Sequence, residues 1–390
     1  MGKSLPTSSR GSELLGDGSS RLSFLERREL ERLLERGMDR SGSRFNLVID
    51  YQQDNRLSVP AARMAYSAPI AVVVPMRDAR KWLPSLLAAL VREWDTSFEL
   101  VVVDDGSTDG SAELLQRLCR HWPKHRWQLI DGGGRGVSSS RNQGVKAAKS
   151  DFIAFLDADD RPLPGRLTLP LQVLQAHPEL SHVHGGWWRC DSKGHKQHAV
   201  RPWEEGAGFS WQTFMEHKAV LPSAWTLRRE AFLAVGGFDE QLRHSEDVDL
   251  GIRLAAADHQ GRWIEQELVR YRVHGESASA KLRPQLLGLL EVMDRHLQKA
   301  PDTAQAWARD LRYGTTTWAV WQAWQANDHA LSLQLLRQAL IDCPYPLVRR
   351  PVHLIEAFQR SHDRIGECFD RSLLLKSNFW QQAEALLLAR

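Results

Sequence analysis

The sequence contains little that would place it in a membrane, in an oxidising compartment or on nucleic acid. No run approaches the roughly 18 apolar residues of a membrane-spanning helix, and the amino-terminal stretch lacks the apolar core of a signal peptide. The four cysteines are far apart and form no CxxC pair, so neither a disulfide framework nor a zinc knuckle is indicated. Basic and acidic residues number 51 and 48, which gives no electrostatic reason to expect nucleic acid as a partner. We therefore expect a soluble, cytoplasmic protein, and peripheral attachment to a membrane stays open.

The 390 residues divide into three regions by composition and periodicity. Residues 1–66 begin rich in Gly, Ser and charge and predict a flexible extension, with one amphipathic helix that starts near Leu22 and ends near Gly37. Residues 67–280 alternate short apolar runs with helical spacing. Residues 281–390 carry apolar residues at helical spacing and predict a C-terminal helical region, which would cap the site or form a dimer surface.

The middle region predicts an α/β fold with a largely parallel sheet. Short runs of β-branched, aromatic and other apolar residues lie at 70–75, 98–103, 127–130 and 152–156. Strands that alternate with helices are joined by right-handed crossovers, and these make parallel sheets. Ligands of such sheets bind in the crevice at the carboxyl ends of the strands. The polar residues that follow each run are therefore the first candidates for a functional site.

Three carboxylates follow the run at 152–156, on Asp157, Asp159 and Asp160. Carboxylates this close repel one another unless a cation, a proton or a basic neighbour compensates them. Mg²⁺ or Mn²⁺ suits the position, because such ions are held by one or two carboxylates together with substrate phosphate oxygens. The alternative is an acidic turn that caps the next helix.

Two other segments carry polar groups suited to a nucleotide. Asp104 and Asp105 end the run at 98–103 and can accept hydrogen bonds from a base or a ribose hydroxyl, although they would equally end a strand and cap a helix. The glycine cluster at 132–136 is typical of a loop whose amides approach a phosphate, and Arg141 after it would clamp that phosphate. It is neither a Walker loop nor a dinucleotide fingerprint.

Five segments in order carry a family resemblance. They read VDDGSTD at 103–109, SRNQG at 140–144, FLDADD at 155–160, GGFDE at 236–240 followed by SEDVDL at 245–250, and YRVHG at 271–275. Together they resemble the family 2 glycosyltransferases over roughly residues 69–279. The resemblance implies the GT-A fold, a Rossmann-like mixed, mostly parallel sheet flanked by helices. It also implies transfer from a nucleotide-diphosphate sugar.

The resemblance also implies a role for each candidate residue. The residues implied to bind the nucleotide sugar are Pro75, Arg77, Asp104, Asp105, Arg141 and Asp157. Those implied to hold Mg²⁺ or Mn²⁺ at the donor diphosphate are Asp159, Asp160 and His274. Asp247 is implied to be the general base that takes the proton of the acceptor hydroxyl, which gives a single displacement with inversion.

The end of the first strand departs from the family pattern. The family commonly has Pro-x-Tyr-Asn there, with an aromatic ring that stacks on the base, whereas this chain has PMRD at 75–78. Arg77 offers its guanidinium plane for stacking instead. A UDP-sugar is the favoured donor, and GDP and dTDP stay open.

The acceptor side is predicted from aromatic composition and from the resemblance. The candidates for acceptor binding are Trp187, Trp225 and Glu246. Large amphipathic rings suit the faces of sugars, although ordinary packing is the alternative for each tryptophan. Glu246 and Asp247 would equally suit the acidic first turn of a helix, and His274 would suit a core position.

These observations predict an inverting, metal-dependent glycosyltransferase. The donor would be a nucleotide-diphosphate sugar, and the acceptor a hydroxyl of a glycan, a lipid or another small molecule, with no nucleic acid partner. One alternative is a non-catalytic scaffold that binds a sugar or a nucleotide on the same fold. A sugar nucleotidyltransferase is a second, although residues 75–81 lack the Gly-rich basic signature it would need.

Overall fold

The structure is a computed structural model that describes residues 69–93, 97–123, 126–275, 277, 280–341, 343–364 and 367–389. The predicted extension at 1–66, including its amphipathic helix, lies outside the described residues. The predicted boundary between residues 280 and 281 stays a prediction.

Strands form at the four predicted apolar runs, and within the residues described five more strands follow them along the chain. They are β1 (Ile70–Met76), β2 (Phe98–Asp104), β3 (Trp127–Asp131), β4 (Phe152–Phe155), β5 (Arg161–Pro162), β6 (Leu180–Cys190), β7 (Lys196–Val200), β8 (Trp225–Arg228) and β9 (Gln260–Arg272). All seven residues of β1 are buried, as expected for a β-branched strand that is covered on both faces.

Helices alternate with the first strands and then form the C-terminal region. They are α1 (Leu83–Arg92), α2 (Ser111–Leu118), α3 (Val137–Ala147), α4 (Thr168–Ala176), α5 (Trp211–His217), α6 (Arg229–Ala234), α7 (Glu246–Ala256), α8 (Leu282–Leu297), α9 (Gln305–Gln325), α10 (His329–Ile341), α11 (Arg350–Arg364), α12 (Arg371–Leu375) and α13 (Asn378–Leu387). None of the helices in the described part of the chain is long and apolar enough to cross a membrane.

The described strands form one mixed sheet in the order β3-β2-β1-β4-β8-β6-β9-β5, with β7 paired to β6. The first four strands are parallel to one another. Strand β8 then runs antiparallel to both β4 and β6, while β9 is parallel to β6. The predicted mixed α/β sheet with flanking helices is confirmed. Strands β2 and β4 lie on either side of β1, so the sequential order of the strands reverses there. Ligands of such sheets bind beside this switch point, at the carboxyl ends of the strands.

Helix α3 packs very closely on the sheet because of a glycine. A Cβ at Gly144 would lie 2.4 Å from Val73 Cγ1 in β1 and 3.4 Å from Val103 Cγ2 in β2. The side chain of valine is stiff at χ1 and cannot easily move aside. This contact places the amino-terminal end of α3 at the carboxyl edge of the sheet.

We expect Gly144→Ala to lower the free energy of unfolding by about 1–3 kcal/mol, because the added methyl overpacks a well-filled core. Urea unfolding measures the difference. The matched control is Gly314→Ala in α9, where no atom lies within 4 Å of an added Cβ. That control is expected to stabilise the helix by about 0.5–1 kcal/mol. Equal losses at both positions would contradict the packing argument.

The C-terminal helices have a core of their own but do not stand apart from the sheet. Nineteen buried residues from α8 to α13 form one cluster, which includes Trp321, Phe358 and Phe379. Helix α8 also joins a second cluster through Val292, Met293 and Leu297, and the other members of that cluster include residues of α5 and α7. Helix α8 is therefore shared between the helical region and the sheet region.

Candidate active site

A cavity of about 680 Å³ opens at the carboxyl ends of β1, β2 and β4. The first wall comes from residues that directly follow these strands, which include Arg77, Asp105 and Asp157. Further lining comes from Asp247 in the first turn of α7 and from His274 just after β9. The cavity thus brings together five segments that are far apart in the sequence.

Asp105 and its neighbour Asp104 have different surroundings. The Asp105 carboxylate is buried and accepts hydrogen bonds from Gly136 N at 3.0 and 3.1 Å, with Arg77 Nη1 4.0 Å from Oδ2. Asp104 Oδ1 accepts from Ser107 N at 3.0 Å and does not line the cavity. The Asp104 carboxylate thus holds the turn after β2, and its predicted contact with the nucleotide stays a prediction.

Arg141 reaches the cavity but is already paired. Its Nη2 donates to Asp157 Oδ1 at 2.7 Å, and its Nη1 donates to Glu246 Oε1 at 2.9 Å. Burial alone would lower the pKa of Arg141, but the two carboxylates raise it above its ordinary value. The guanidinium also lies 5.2 Å from the centre of the Phe238 ring. Arg141 thus joins the acidic loop after β4 to the start of α7, and its predicted role as a diphosphate clamp stays a prediction.

The three carboxylates after β4 point in different directions. Asp157 faces Arg141, and burial raises the pKa of its carboxyl despite that partner. Asp159 lines the cavity, and its Oδ2 lies 2.8 Å from His274 Nε2. Asp160 is fully buried, and its Oδ1 accepts from Arg272 N at 3.0 Å.

Asp160 lies behind the cavity rather than in its lining. Burial, with Asp159 and Asp157 nearby, raises the pKa of its carboxyl well above the ordinary value. A buried carboxyl that holds a backbone amide of β9 is poorly suited to bind an ion from the cavity. The Asp160 carboxyl thus makes a structural contact at this end of the sheet, and its predicted role as a metal ligand stays a prediction.

The fit of the cavity to a divalent ion depends on Asp159 and His274. Among the residues that the structure describes, no three His, Cys, Asp or Glu side chains converge closely enough to hold a metal ion on their own. The Asp159–His274 pair nevertheless supplies one carboxylate oxygen and one imidazole nitrogen at the cavity wall. Mn²⁺ accepts both donor types, and a phosphate-bridging Mg²⁺ needs only one or two protein ligands. These residues fit an ion that a diphosphate in the cavity would help to hold.

Asp247 lies in the first turn of α7, which faces the cavity. Burial, with Glu246 beside it, raises the pKa of Asp247 to about 7, although its Oδ1 accepts from Val248 N at 2.8 Å. Ser245, the residue before this turn, has a left-handed backbone with φ of 60°. A carboxylate with a pKa near neutrality can take a proton from a hydroxyl in the cavity.

Neither of the two tryptophans predicted to bind the acceptor lies in the cavity lining. Trp225 is fully buried, and its Nε1 donates to His182 Nδ1 at 3.1 Å, so it cannot offer a ring face to an acceptor. Trp187 is partly buried against Leu268 and its neighbours and does not line the cavity. Packing explains Trp225, which corrects the prediction for that residue. Glu246 lines the cavity beside Asp247 while paired with Arg141.

Several cavity residues were not predicted from the sequence. The lining also includes Trp82, Arg243, His244, Tyr271 and Gln285. Tyr271 belongs to the segment at 271–275, so its position was available as a signal. Arg272 in that segment donates to the carbonyl of Asp159 at 2.6 Å and lies over Trp82 at 4.9 Å, which fixes the acidic loop. Gln285 had no signal, because it comes from a helix outside the motifs.

Sequence comparison matches part of the chain to one protein family. Residues 71–233 match the model of glycosyl transferase family 2. An uncharacterized glycosyltransferase of Rickettsia bellii is 25% identical over 221 residues, which cover 56% of this chain and 31% of that protein. A second Rickettsia relative, from Rickettsia felis, is 25% identical over 222 residues and is covered over 35% of its length. The chain therefore spans about a third of the length of these relatives.

Solved structures share the fold at low sequence identity. Residues 1–349 of S. aureus TarS, in complex with UDP-GlcNAc, superpose with a TM-score of 0.53 at 17% identity, over 77% of this chain and 93% of that one. The mannosyltransferase PcManGT from Pyrobaculum calidifontis, in complex with GDP-Man and Mn²⁺, gives a TM-score of 0.52 at 16% identity, over 93% and 94% of the two chains. The chain therefore resembles glycosyl transferase family 2 over residues 71–233 and shares the GT-A fold of these solved structures.

Proposed function

We propose that this chain is an inverting, metal-dependent glycosyltransferase that moves a sugar from a nucleotide-diphosphate donor to an acceptor hydroxyl. The observation that carries the proposal is the composition of one cavity. It holds Asp247, whose pKa is raised to about 7, together with the Asp159–His274 pair. A base and an ion-binding pair in one cavity are what a metal-dependent single displacement uses.

The residues divide the cavity into a donor part and an acceptor part. Asp105 and Arg77 lie where the base and ribose of the donor would bind, next to the amino-terminal end of α3. The side chain of Arg77 is 63% exposed. Its guanidinium plane can stack on either a uracil or a guanine base. A UDP-sugar stays the favoured donor, and the acceptor would enter on the side of Glu246 and Asp247.

The reaction transfers one proton and one glycosyl group. Asp247 accepts the proton of the acceptor hydroxyl while the oxygen attacks the anomeric carbon, and the bond to the nucleoside diphosphate breaks on the opposite face. No covalent intermediate with the protein is needed, so configuration inverts. A divalent ion held by Asp159 and His274 would neutralise the charge that develops on the leaving diphosphate. The raised pKa of Asp247 makes its neutral, protonated state accessible after transfer.

Calorimetric titration of UDP, GDP and dTDP, with and without Mn²⁺, tests the donor class. We expect one nucleotide to bind in a Mn²⁺-dependent way. Donor sugars of that nucleotide are then incubated with a panel of glycan and lipid-linked acceptors, and products are identified by mass spectrometry. Nucleotide binding without hydrolysis or transfer of any donor would favour the non-catalytic scaffold. If none of the three nucleotides binds, the proposal is wrong.

A further inference from the structure

Helix α8 contacts the segment that carries Asp247 at three polar positions. We define this base segment as residues 236–249. His296 Nε2 lies 2.8 Å from Asp249 Oδ1, and Arg295 Nη1 donates to Asp239 Oδ2 at 2.6 Å. Near the beginning of α8, Gln285 Nε2 lies 3.2 Å from His244 Nδ1. The contacts are spread along α8 and along the base segment, so they hold the segment at both ends and in the middle.

The contact at Asp249 is almost completely shielded from water. Asp249 is 2% exposed and His296 is 6% exposed. The second carboxylate oxygen of Asp249 accepts from Arg253 Nε at 2.8 Å, and Arg253 Nη1 donates to Val235 O at 2.6 Å. A buried carboxylate is costly unless its oxygens are paired, and here α8 provides one of the two partners. Asp249 is two residues from Asp247 in the same turn of α7.

Apolar packing and backbone conformation add to these contacts. Val292 and Met293 of α8 share a buried cluster with Val248 and Ile252 of α7. At Gly288 an added Cβ would lie 2.7 Å from His244 Cβ, so the two segments are in close backbone contact. Left-handed conformations at residues other than glycine persist only where the surroundings determine them. Ser245 adopts one in the centre of the base segment.

We propose that α8 is a brace for the base segment, and that His296 and Arg295 are positioning residues that hold Asp247 at the productive distance from the acceptor. This inference rests on the proposed function. It makes the C-terminal helical region, through its first helix, part of the catalytic unit rather than an appended cap. Neither positioning residue lines the cavity, so each acts through the base segment.

The first test reads the brace without any substrate. Hydrogen–deuterium exchange of the full-length protein is compared for wild type, His296→Leu and His296→Gln. Glutamine retains an N–H donor for Asp249, whereas leucine removes it. We expect amides of residues 239–249 to exchange about tenfold faster or more in the leucine variant, since a hydrogen bond to a buried charge is lost. We expect near wild-type exchange in the glutamine variant. Unchanged exchange in a folded leucine variant would overturn the brace.

The second test measures rates on the donor found in the nucleotide titration. Displacement of a reacting group by about 1 Å can cost on the order of 100-fold in rate. We expect His296→Leu to lower kcat about 10–100-fold, while the Kd of the nucleotide with Mn²⁺ changes less than about threefold, because His296 does not line the cavity. A loss of nucleotide affinity in proportion to the loss of kcat would indicate general destabilisation and overturn the positioning role.

Three further variants keep the test valid if His296→Leu fails to fold. Arg295 is 34% exposed at its side chain, so we expect Arg295→Met to fold and to lower kcat. Arg295→Lys keeps the positive charge and is expected to have a kcat close to that of wild type. The matched control is Arg283→Ala, which breaks the exposed pair of α8 with Asp328 at 3.1 Å and is expected to leave kcat unchanged. If the wild type binds nucleotide but transfers no sugar, the proposed function fails, and the exchange experiment still decides on the brace.

Discussion

Replacement of Asp247 by asparagine is expected to lower kcat for sugar transfer by about 10²–10⁴-fold, which is the usual contribution of a positioned general base. The amide keeps the shape of the side chain and its contact with Val248 N but cannot accept a proton. Nucleotide binding in the presence of Mn²⁺ is expected to stay within about threefold of wild type, because Asp105, Arg77 and Asp159 are unchanged. Steady-state kinetics and calorimetry on the same preparation measure both quantities.

The pH dependence gives a second reading of Asp247. Its ionised form is the active one, so kcat/KM of the wild type is expected to rise with pH up to about 7 and then level off. Burial of the carboxyl and the adjacent Glu246 raise the pKa of Asp247, and the positive charge of Arg141 lowers it. The residual activity of Asp247→Asn is expected to lack this rise. A wild-type profile that is flat between pH 5 and 9 would contradict the assignment.

Stability provides an internal control for the same variant. Because the folded-state pKa of Asp247 is raised, the folded protein binds this proton more tightly than the unfolded chain, and ionisation above the unfolded pKa of about 4 destabilises the fold. Asp247→Asn is therefore expected to have a Tm at pH 8 equal to or above that of wild type.

Asp258→Asn is the matched control for activity, since Asp258 is exposed at the end of α7 and its φ of 56° suits asparagine. A similar loss of activity in Asp258→Asn would make the effect at Asp247 non-specific.

The strand pattern predicted the edge of the sheet well, because buried parallel strands leave a strong local signal. The apolar runs became β1, β2, β3 and β4, and the residues after three of them line the cavity. The sheet beyond β4 had a weaker signal. Its antiparallel strand β8 is four residues long, and the pairing of β6 with β9 joins segments about 80 residues apart.

Individual side chains after a strand were harder to assign than the strand itself. Asp104 and Asp105 are adjacent, yet only Asp105 faces the cavity, and the same division separates Asp160 from Asp159. Successive residues at a strand end point in opposite directions, so a cluster of acids cannot be assigned by composition alone. The partner of Arg141 was also hidden, because Glu246 lies 105 residues away. Such pairs depend on the packing of α7 against α3, which no local pattern predicts.

The second large effect concerns the ion, and it separates two neighbouring aspartates. Asp159→Asn is expected to abolish the gain in nucleotide affinity that Mn²⁺ provides, with the Kd raised at least about 10–100-fold in the presence of the ion, a range typical for loss of even an outer partner of a metal site. Chelation with EDTA is then expected to weaken binding in wild type but not in Asp159→Asn. The reason is that Asp159 and His274 supply the protein donors at the cavity wall.

Asp160→Asn is the matched substitution at the next position, and its expected result is the opposite. The Asp160 carboxyl is buried, its pKa is raised well above the ordinary value, and its Oδ1 is an acceptor for Arg272 N, a role that an asparagine oxygen also fills. Mn²⁺-dependent nucleotide binding is therefore expected to stay within about threefold of wild type, because a neutral side chain already suits this site. If Asp160→Asn instead loses the Mn²⁺ effect as fully as Asp159→Asn, the acidic loop must rearrange when the ion binds. The ligand assignment made from the sequence would then replace the one made from the fold.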